Sequence, residues 1–395
     1  MSVQYPGDDK TMSLRCPKTT IMLRGGILVC VLGACHVEKF GSEPDGDQRI
    51  LWVAGGTVSG QPATDAARVY YGTTDHQLIA VDRSSGAVKW RSRTDARSPR
   101  TLNGANVVIA GGNVVFGDYV IYGFDQATGV RRWVFDPEAQ GIPGHAAGAY
   151  KLATDGSTIY AGSGSGHVYA LSAGDGSLIW VSALSVDGQT SVYDPVIDGE
   201  TLYVTVRHFT NPITGFVAAI NRIDGRTLWS HVFSADPPTS SGPVGKVVPF
   251  KNTVIVANDD GKIYWLDKTT GATKWTAPRR PDVIGYNDLR PLILAANVLV
   301  AGSLANYLTG YDPETGAQIW ETNSGQGSVG SPLDTDGVTV FQPNASGTLG
   351  AFDAATGARR WIQSAPNKAW FTPYPLVTDA AVFAPSTGGL VALEK

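Results

Sequence analysis

The segment DKTTGATKW, at residues 267–275, places a glycine four residues after an aspartate and a tryptophan four residues after the glycine. An apolar strand precedes the aspartate, whose side chain can accept hydrogen bonds from the N–H groups of the following turn. The glycine supplies the positive φ that such a turn requires, and a second strand runs into the tryptophan. The segment therefore predicts a β-hairpin that carries an aromatic residue on its second strand.

The same pattern recurs along the chain. Seven tryptophans each follow a glycine by four residues, at intervals of 41 to 49 residues: Trp90, Trp133, Trp180, Trp229, Trp275, Trp320 and Trp361. An earlier strand and a further turn precede each hairpin, and several units open with a proline, which suits the start of a strand because it donates no ladder hydrogen bond. Four strands per repeat of this length predict the blades of a β-propeller.

An eighth copy is divided between the two ends of the chain. LVALE at residues 390–394 matches LIAVD at residues 78–82, and the chain then stops before the turn and the tryptophan strand. The segment RILW at residues 49–52 has the apolar residues and the tryptophan expected of the missing strand. We therefore predict an all-β, eight-bladed β-propeller over residues 49–395, with four antiparallel strands per blade and with the last blade closed by an N-terminal strand around Trp52.

The eight tryptophans in register are predicted to be structural. An indole on the outer strand can bury its face against the next blade while its N–H donates to a backbone carbonyl. Trp265 lies outside the register, alternates with its neighbours along a strand and is predicted to pack. Trp370 precedes a strand in a loop, KAWFTP at residues 368–373, and is a candidate recognition aromatic.

The first 48 residues are predicted to comprise an export signal and a flexible tether. A basic lead precedes a short apolar run at residues 27–34, which is too short to span a bilayer and fits an export signal. The sequence LGAC at residues 32–35 resembles a bacterial lipobox, which implies cleavage before Cys35 and lipid attachment to its thiol. We predict a signal peptide at residues 1–34 and a flexible tether at residues 35–48. Translation could start at Met1 or at Met12.

Charge and cysteine content exclude several classes of function. The chain has a formal net charge of −4 and no basic cluster after residue 35, so a nucleic-acid groove is not expected. The three cysteines are Cys16, Cys30 and Cys35, which leaves the propeller without a disulfide, a thiolate metal site or a cysteine nucleophile. No histidine spacing typical of a metal site, nucleophile elbow or phosphate loop is present, so no catalytic or metal-binding residue is assigned.

The repeats resemble the pyrroloquinoline-quinone (PQQ)-like repeat family, with residues 267–275 and 353–357 as clear examples. With the lipobox and the eight compact blades, the chain looks most like the BamB family of propeller lipoproteins of the outer-membrane β-barrel assembly machinery. That resemblance implies a non-catalytic scaffold that docks on the barrel-insertase subunit through loops on one face. It also implies export, a lipid anchor, and an outer-membrane position facing the periplasm.

Two alternatives remain at this point. Quinoprotein dehydrogenases share the repeat and would bring PQQ and calcium as cofactors, but their long insertions and vicinal cysteine pair are missing here, and none of their site residues is carried over. A carbohydrate- or cell-wall-binding propeller is the other alternative, suggested by Trp370 and the aromatic content. For the scaffold we expect no cofactor, a monomeric propeller and an envelope protein partner.

A candidate binding face is predicted from the connections that enter the blades. It comprises a polar cluster in the connection to the sixth blade, comparable positions in other blades and the exposed aromatic: Asn287, Asp288, Arg290, Asp194, His145 and Trp370. Such connections face the central channel at one end of a propeller, so these side chains could bind a peptide or a small ligand. Hydrogen bonding between blades is the competing interpretation.

Overall fold

Eight four-stranded antiparallel sheets make up the part of the chain described in the computed structural model. The described residues are 49–94, 105–142, 150–185, 190–208, 214–233, 242–277, 289–303, 306–325, 332–343 and 347–395. They form an eight-bladed β-propeller, as the repeats predict. Within them only two short 3₁₀ helices occur, at Glu138–Gln140 and Pro366–Lys368.

The strands follow one another in chain order within each blade, except in the last. Strand β1 (Ile50–Ala54) belongs to blade 8. Blade 1 comprises β2 (Ala63–Thr64), β3 (Arg68–Gly72), β4 (Gln77–Asp82) and β5 (Val88–Arg93). Blade 2 comprises β6 (Val107–Ala110), β7 (Asn113–Gly117), β8 (Ile121–Asp125) and β9 (Arg131–Phe135). Blade 3 comprises β10 (Lys151–Thr154), β11 (Thr158–Gly162), β12 (His167–Ser172) and β13 (Leu178–Ala183). Blade 4 comprises β14 (Thr190–Asp198), β15 (Thr201–His208), β16 (Thr214–Asn221) and β17 (Thr227–Val232).

The second half of the ring repeats this order. Blade 5 comprises β18 (Pro243–Phe250), β19 (Thr253–Asn258), β20 (Ile263–Asp267) and β21 (Thr273–Ala277). Blade 6 comprises β22 (Leu289–Ala295), β23 (Val298–Ser303), β24 (Tyr307–Tyr311) and β25 (Gln318–Asn323). Blade 7 comprises β26 (Asp334–Thr335), β27 (Thr339–Pro343), β28 (Thr348–Asp353) and β29 (Arg359–Ser364). Blade 8 comprises β30 (Leu376–Val377), β31 (Val382–Ser386), β32 (Gly389–Leu393) and β1.

The first strand of each blade surrounds the axis of the ring. Strand β10 contacts β6 and β14, and β18 contacts β14 and β22, whereas the fourth strands lie at the outer end of each sheet. We therefore call the first strands the inner strands and the fourth strands, which carry the repeat tryptophans, the outer strands.

The ring closes through the two ends of the propeller. Strand β1 pairs with β32, with Trp52 opposite Ala392, which confirms the predicted closure. Two further bonds hold this pairing. The Glu394 N–H donates to the Arg49 carbonyl at 2.8 Å, and the Arg49 Nη1 donates to the Lys395 carbonyl at 2.9 Å. The Arg49 guanidinium also lies over the Trp361 ring, 5.0 Å from its centroid, and so joins blades 7 and 8.

The core consists of apolar layers between adjacent blades, and the repeat tryptophans contribute to them. A tryptophan on one outer strand covers the glycine turn of the next blade, where an added Cβ on the glycine would lie 2.4 to 2.7 Å from the indole in six of the repeats. The indole N–H donates to the carbonyl that follows the repeat aspartate or asparagine of that blade, for Trp52, Trp90, Trp180, Trp229 and Trp320, while Trp265 donates to Pro313. The glycine is therefore required both for its positive φ and for the close approach of the indole.

Three junctions depart from this arrangement, and one of them is the junction of blades 7 and 8, where Arg49 lies over Trp361 in place of a glycine turn. The Trp133 N–H has no partner among the described residues. The corresponding carbonyl, that of Ala173, instead accepts a hydrogen bond from the Asn113 side chain at 2.8 Å. At the junction of blades 5 and 6, the indole of Trp265 covers Gly316 in place of that of Trp275. The packing prediction for Trp265 agrees with its full burial.

Candidate functional site

The two ends of the ring are built from different connections. The hairpin turns between third and fourth strands lie at one end, together with the turns between first and second strands. We call this the turn end. The turns between second and third strands lie at the other end, where each outer strand also passes to the inner strand of the next blade. We call this the connection end.

At the turn end the repeat carboxylates are occupied by their own turns. One carboxylate oxygen accepts the N–H groups two and three residues further on, for Asp82, Asp125, Asp267, Asp312 and Asp353. The Lys274 ammonium and the turn N–H groups lower the pKa of Asp267 to about 2, because each of them stabilises the ionised form. These aspartates serve the hairpins.

Some of the predicted binding residues lie in three different parts of the ring, and the others lie outside the described residues. Asp194 lies in β14, the inner strand of blade 4, and Arg290 lies at the start of β22, the inner strand of blade 6. Trp370 lies in the connection from blade 7 to blade 8. Asn287, Asp288 and His145 lie outside the described residues, as do the side chain of Arg290 and the lipidation residue Cys35.

Asp194 belongs to a set of bulges on three consecutive inner strands. The pairing register shifts between Tyr193 and Val196 in β14, between Val244 and Val248 in β18, and between Leu289 and Leu292 in β22. A bulge leaves the extra residues outside the ladder and re-aims their side chains. Asp194, Lys246 and Arg290 therefore occupy the bulges of neighbouring blades, which brings two of the predicted residues into comparable places.

Lys151, whose charge Asp194 influences, makes a contact that spans the ring. Lys151 lies at the start of β10 in blade 3, and its Nζ donates to the hydroxyl of Tyr374, which precedes the inner strand of blade 8, at 3.0 Å. Nζ also lies 4.2 Å from the centroid of the Tyr374 ring. Burial by itself lowers the pKa of the Lys151 ammonium, but Tyr374 and the Asp194 carboxylate outweigh burial and leave that pKa raised. Lys151 is therefore a buried cation held between two other blades.

Sequence reasoning did not single out Lys151 or Tyr374. A signal for Tyr374 exists, since it directly precedes Pro375, just as Asp194 precedes Pro195 and Arg290 precedes Pro291. The residue before the inner-strand proline thus lies beside the channel in several blades. Nothing comparable marks Lys151, which no proline follows.

Two further polar clusters tie neighbouring blades at the connection end. The Asp118 carboxylate is buried between blades 1 and 2 and accepts bonds from His76 Nδ1 at 2.9 Å and from the Thr94 hydroxyl at 2.5 Å. Arg207 and Asp259 form an ion pair between blades 4 and 5. Each carboxylate is paired with donors from the preceding blade, so both clusters hold blades together, in line with the inter-blade interpretation.

Trp370 is the most exposed of the ten tryptophans, with 57% of its surface accessible. Its backbone is nevertheless fixed, because its N–H donates to the Thr387 hydroxyl at 3.0 Å and its carbonyl accepts the Thr387 N–H at 2.9 Å. The next residue, Phe371, is buried in the core between blades 7 and 8. The connection therefore presents one aromatic ring to solvent on an anchored backbone.

No group of three or more histidine, cysteine, aspartate or glutamate side chains within the described ranges is arranged to hold a metal ion. Nor does the described part of the chain contain a helix of the length and apolarity needed to cross a membrane.

Comparison with known families identifies the architecture. The model described as outer membrane protein assembly factor BamB matches residues 42–214, 213–303 and 288–395. The chain belongs to the BamB family. The three matches together cover all eight blades, so membership rests on the whole propeller, and the resemblance carried by the repeats is confirmed.

Curated relatives include outer membrane protein assembly factors of the BamB family and an enzyme. Outer membrane protein assembly factor BamB of Xanthomonas campestris pv. campestris is 28% identical over 309 residues, which is 75% of this chain and 70% of the relative. Tetrathionate hydrolase of Acidithiobacillus ferrooxidans is 27% identical over 243 residues, which is 52% of this chain and 46% of the hydrolase. Similarity to curated proteins alone therefore does not separate a BamB-like role from an enzymatic one.

Solved structures share the fold. BamB from Moraxella catarrhalis matches with a TM-score of 0.65 and 16% identity over 87% of this chain and 98% of that chain. Quinohemoprotein alcohol dehydrogenase from Comamonas testosteroni matches with a TM-score of 0.68 and 13% identity over 87% and 76%. At these identities the similarity shows the fold alone and does not assign a function, which depends on the site and the family.

Proposed function

We propose that this protein is a non-catalytic scaffold of the cell envelope, which binds a protein partner in outer-membrane β-barrel assembly through its connection end. The observation that carries the proposal is the match of the BamB family model across all eight blades. The curated relative from Xanthomonas campestris, named as an outer membrane protein assembly factor, supports the same role.

The difference between the two ends supports the connection end as the binding face. Carboxylates of the repeat at the turn end are engaged within their own hairpins. At the connection end, Trp370 presents an exposed ring on a backbone that Thr387 holds from both sides. An aromatic side chain that is already positioned loses little conformational entropy on binding, which is why such residues often carry the binding energy of an interface.

Site-specific photo-crosslinking in growing cells tests this proposal. A benzophenone amino acid replaces Trp370 in the full chain, and a matched control replaces Ile223 at the turn end, which is 59% exposed against 57% for Trp370. We expect the probe at position 370 to capture the barrel-insertase subunit and the probe at position 223 to capture much less of it. Equal capture at both positions, or none at position 370, would contradict the proposal.

The anchor and the location form a second part of the proposal. We infer that Cys35 carries the lipid and that the mature protein faces the periplasm from the outer membrane, on the basis of the LGAC sequence at residues 32–35 and the family. Replacing Cys35 with serine should abolish incorporation of radiolabelled palmitate and move the protein from the membrane to the soluble fraction. Membrane retention of the unlabelled variant would count against a lipid anchor.

The quinoprotein alternative has its own test, because enzymes occur among the relatives and the structural matches. Mature protein is incubated with PQQ and calcium while the absorbance spectrum and the heat of binding are recorded. The scaffold proposal expects no binding. Tight stoichiometric binding would favour a dehydrogenase, and a glycan array with specific hits lost on Trp370→Ala would favour the carbohydrate-binding alternative.

A further inference from the structure

The contact between Lys151 and Tyr374 joins two blades that are not neighbours. Lys151 belongs to blade 3 and Tyr374 precedes the inner strand of blade 8, so blades 1 and 2 separate them on the shorter side of the ring. Residues of such blades can meet only across the axis. The segment that ends in Tyr374 therefore extends over the channel at the connection end, and the channel is crossed at this level.

Two residues beside Lys151 have backbone conformations that disfavour them. Asp194 has φ 36° and Tyr374 has φ 77°, and a proline follows each of them. Left-handed φ is unfavourable for residues with a Cβ, and a following proline disfavours helical conformations further. Strain of this kind persists only where surrounding contacts hold the residue in place. Tyr374 contacts the buried Lys151 ammonium directly, and the Asp194 carboxylate acts on its charge from the neighbouring blade.

The contacts around Tyr374 are few and identifiable. Its hydroxyl and ring bind Lys151, and the carbonyl of the following Pro375 accepts a bond from the Gln61 side chain at 3.2 Å. Further back, the Thr372 N–H donates to the Pro385 carbonyl at 2.8 Å. Lys151 is thus the partner from across the ring, whereas Gln61 and Pro385 belong to blades 1 and 8 beside the segment.

We propose that Lys151 and Tyr374, with the charge of Asp194 beside them, form a latch that holds residues 373–375 closed over the connection-end mouth of the axial channel. Lys151 offsets the strain of the two pre-proline residues, and loss of its contacts releases Tyr374, whereas Trp370 and Thr372 stay bonded to blade 8. A ligand that enters the channel from this end must first displace Tyr374 from Lys151. The latch concerns the conformation of the free protein, so its test does not require the partner proposed above.

The charged and titratable groups around the latch come from several elements. Tyr193 and Asp194 belong to β14 of blade 4, and Tyr374 to the segment before β30. Arg207 of β15 acts on Tyr193 and is itself paired with Asp259 of blade 5. The ammonium of Lys151 donates to the Tyr374 hydroxyl and interacts electrostatically with the Asp194 carboxylate.

Amide hydrogen exchange of the full exported chain, followed by mass spectrometry, tests the latch. Lys151→Met removes the ammonium and keeps the length of the side chain. Tyr374→Phe removes only the hydroxyl, and Asp194→Asn removes only the charge, because asparagine tolerates left-handed φ. The matched control is Lys246→Met, an exposed lysine in the inner-strand bulge of blade 5.

For Lys151→Met we expect exchange in peptides that report the amides of Tyr374 and Leu376 to rise by about tenfold, the scale for losing a hydrogen bond to a charged group. Tyr374→Phe should give a smaller rise in the same peptides, and peptides from the turn end should not change. Unchanged exchange at Tyr374 and Leu376 in both variants would overturn the proposal, as would an equal rise in Lys246→Met. If Lys151→Met raises exchange throughout the chain, Tyr374→Phe and Asp194→Asn decide the question, since each removes a single interaction.

Discussion

The junctions on the two sides of blade 5 bury an indole against the next blade in different ways. At the junction of blades 4 and 5, Trp229 lies opposite Ala219 in the neighbouring strand of its own blade. Its ring covers Gly271, and its N–H donates to the Lys268 carbonyl at 2.8 Å. This is the arrangement found at most junctions of the ring.

At the junction of blades 5 and 6, Trp265 lies opposite Trp275, where other blades have alanine or glycine. The Trp265 ring covers Gly316, and its N–H donates to the Pro313 carbonyl at 2.8 Å. Trp275 stacks on Trp265 with ring centroids 5.6 Å apart, and its N–H has no partner within the described part of the chain. What the fold preserves is therefore an indole over the glycine of the next blade, whichever strand supplies that indole.

The largest expected contrast comes from removing each register tryptophan. Trp229→Ala should lower the free energy of unfolding by about 3–5 kcal/mol, because it removes a buried indole and leaves a cavity. Trp275→Ala should cost about 1–2 kcal/mol, because Trp275 is half-buried and Trp265 continues to cover Gly316. Urea unfolding of the two variants and the wild type measures the difference, and equal losses would mean that Trp265 does not replace Trp275.

Next in size is the contrast between the two turn glycines. Gly271 and Gly316 have nearly the same φ, 72° and 71°, so alanine meets the same backbone strain at both. An added Cβ would lie 2.5 Å from the Trp229 ring at position 271 but 3.1 Å from the Trp265 ring at position 316. Gly271→Ala should therefore be less stable than Gly316→Ala by about 1–3 kcal/mol, from overpacking. Thermal and urea unfolding compare the pair, and the reverse order would refute the packing argument.

A smaller contrast concerns the indole N–H groups. Trp229→Phe loses the bond to the Lys268 carbonyl and should cost about 0.5–1.5 kcal/mol more than Trp275→Phe. Trp275→Phe removes a donor that is buried without a partner, so this substitution relieves a desolvation penalty. Both variants lose the same part of the ring, which makes each the control for the other in an unfolding titration.

The smallest expected effect depends on pH. Burial lowers the pKa of His231, which packs against Phe233 and Tyr264 at the junction of blades 4 and 5, although the Gly271 carbonyl opposes this shift. The stability contributed by neutral His231 is present above about pH 6.5 and is lost as pH falls from the unfolded-state pKa through the lowered folded-state pKa. His231→Gln should flatten this part of the stability profile between pH 7 and pH 5. The corresponding substitution Ala277→Gln, two residues after Trp275, adds no titrating group and should leave the slope unchanged.

Much of the fold could be predicted from the sequence because its determinants are local. The turn residue (aspartate in most copies), the glycine and the tryptophan of the seven continuous repeats lie within nine residues, and the hairpin that they specify forms without reference to the rest of the ring. The sequence also marks the unusual junction of blades 5 and 6. Two positions before the turn residue, every copy has alanine or glycine except blade 5, which has Trp265. An indole at that position displaces the partner opposite, which is a local steric rule.

The candidate site was predictable only in part. The connection end could be inferred from chain order, but Asp194 and Arg290 lie within inner strands and not in the connections predicted for them, whereas Trp370 lies in a connection. The roles of Asp194 and Tyr374 depend on a bulge and on a partner in another blade. The sequence contains no pattern that pairs Lys151 with a residue 223 positions away.

By itself, the sequence determined the number of blades, their strand order and the closure of the ring by Trp52, because each of these follows from repeated short-range chemistry. The tertiary structure alone decided that Trp265 replaces Trp275 over Gly316, that three inner strands bulge, and that Lys151 meets Tyr374 across the axis. These features arise when eight separately specified sheets are brought round a common axis. Their side chains then compete for the same space and the same hydrogen-bond partners, and that competition has no counterpart within a single repeat.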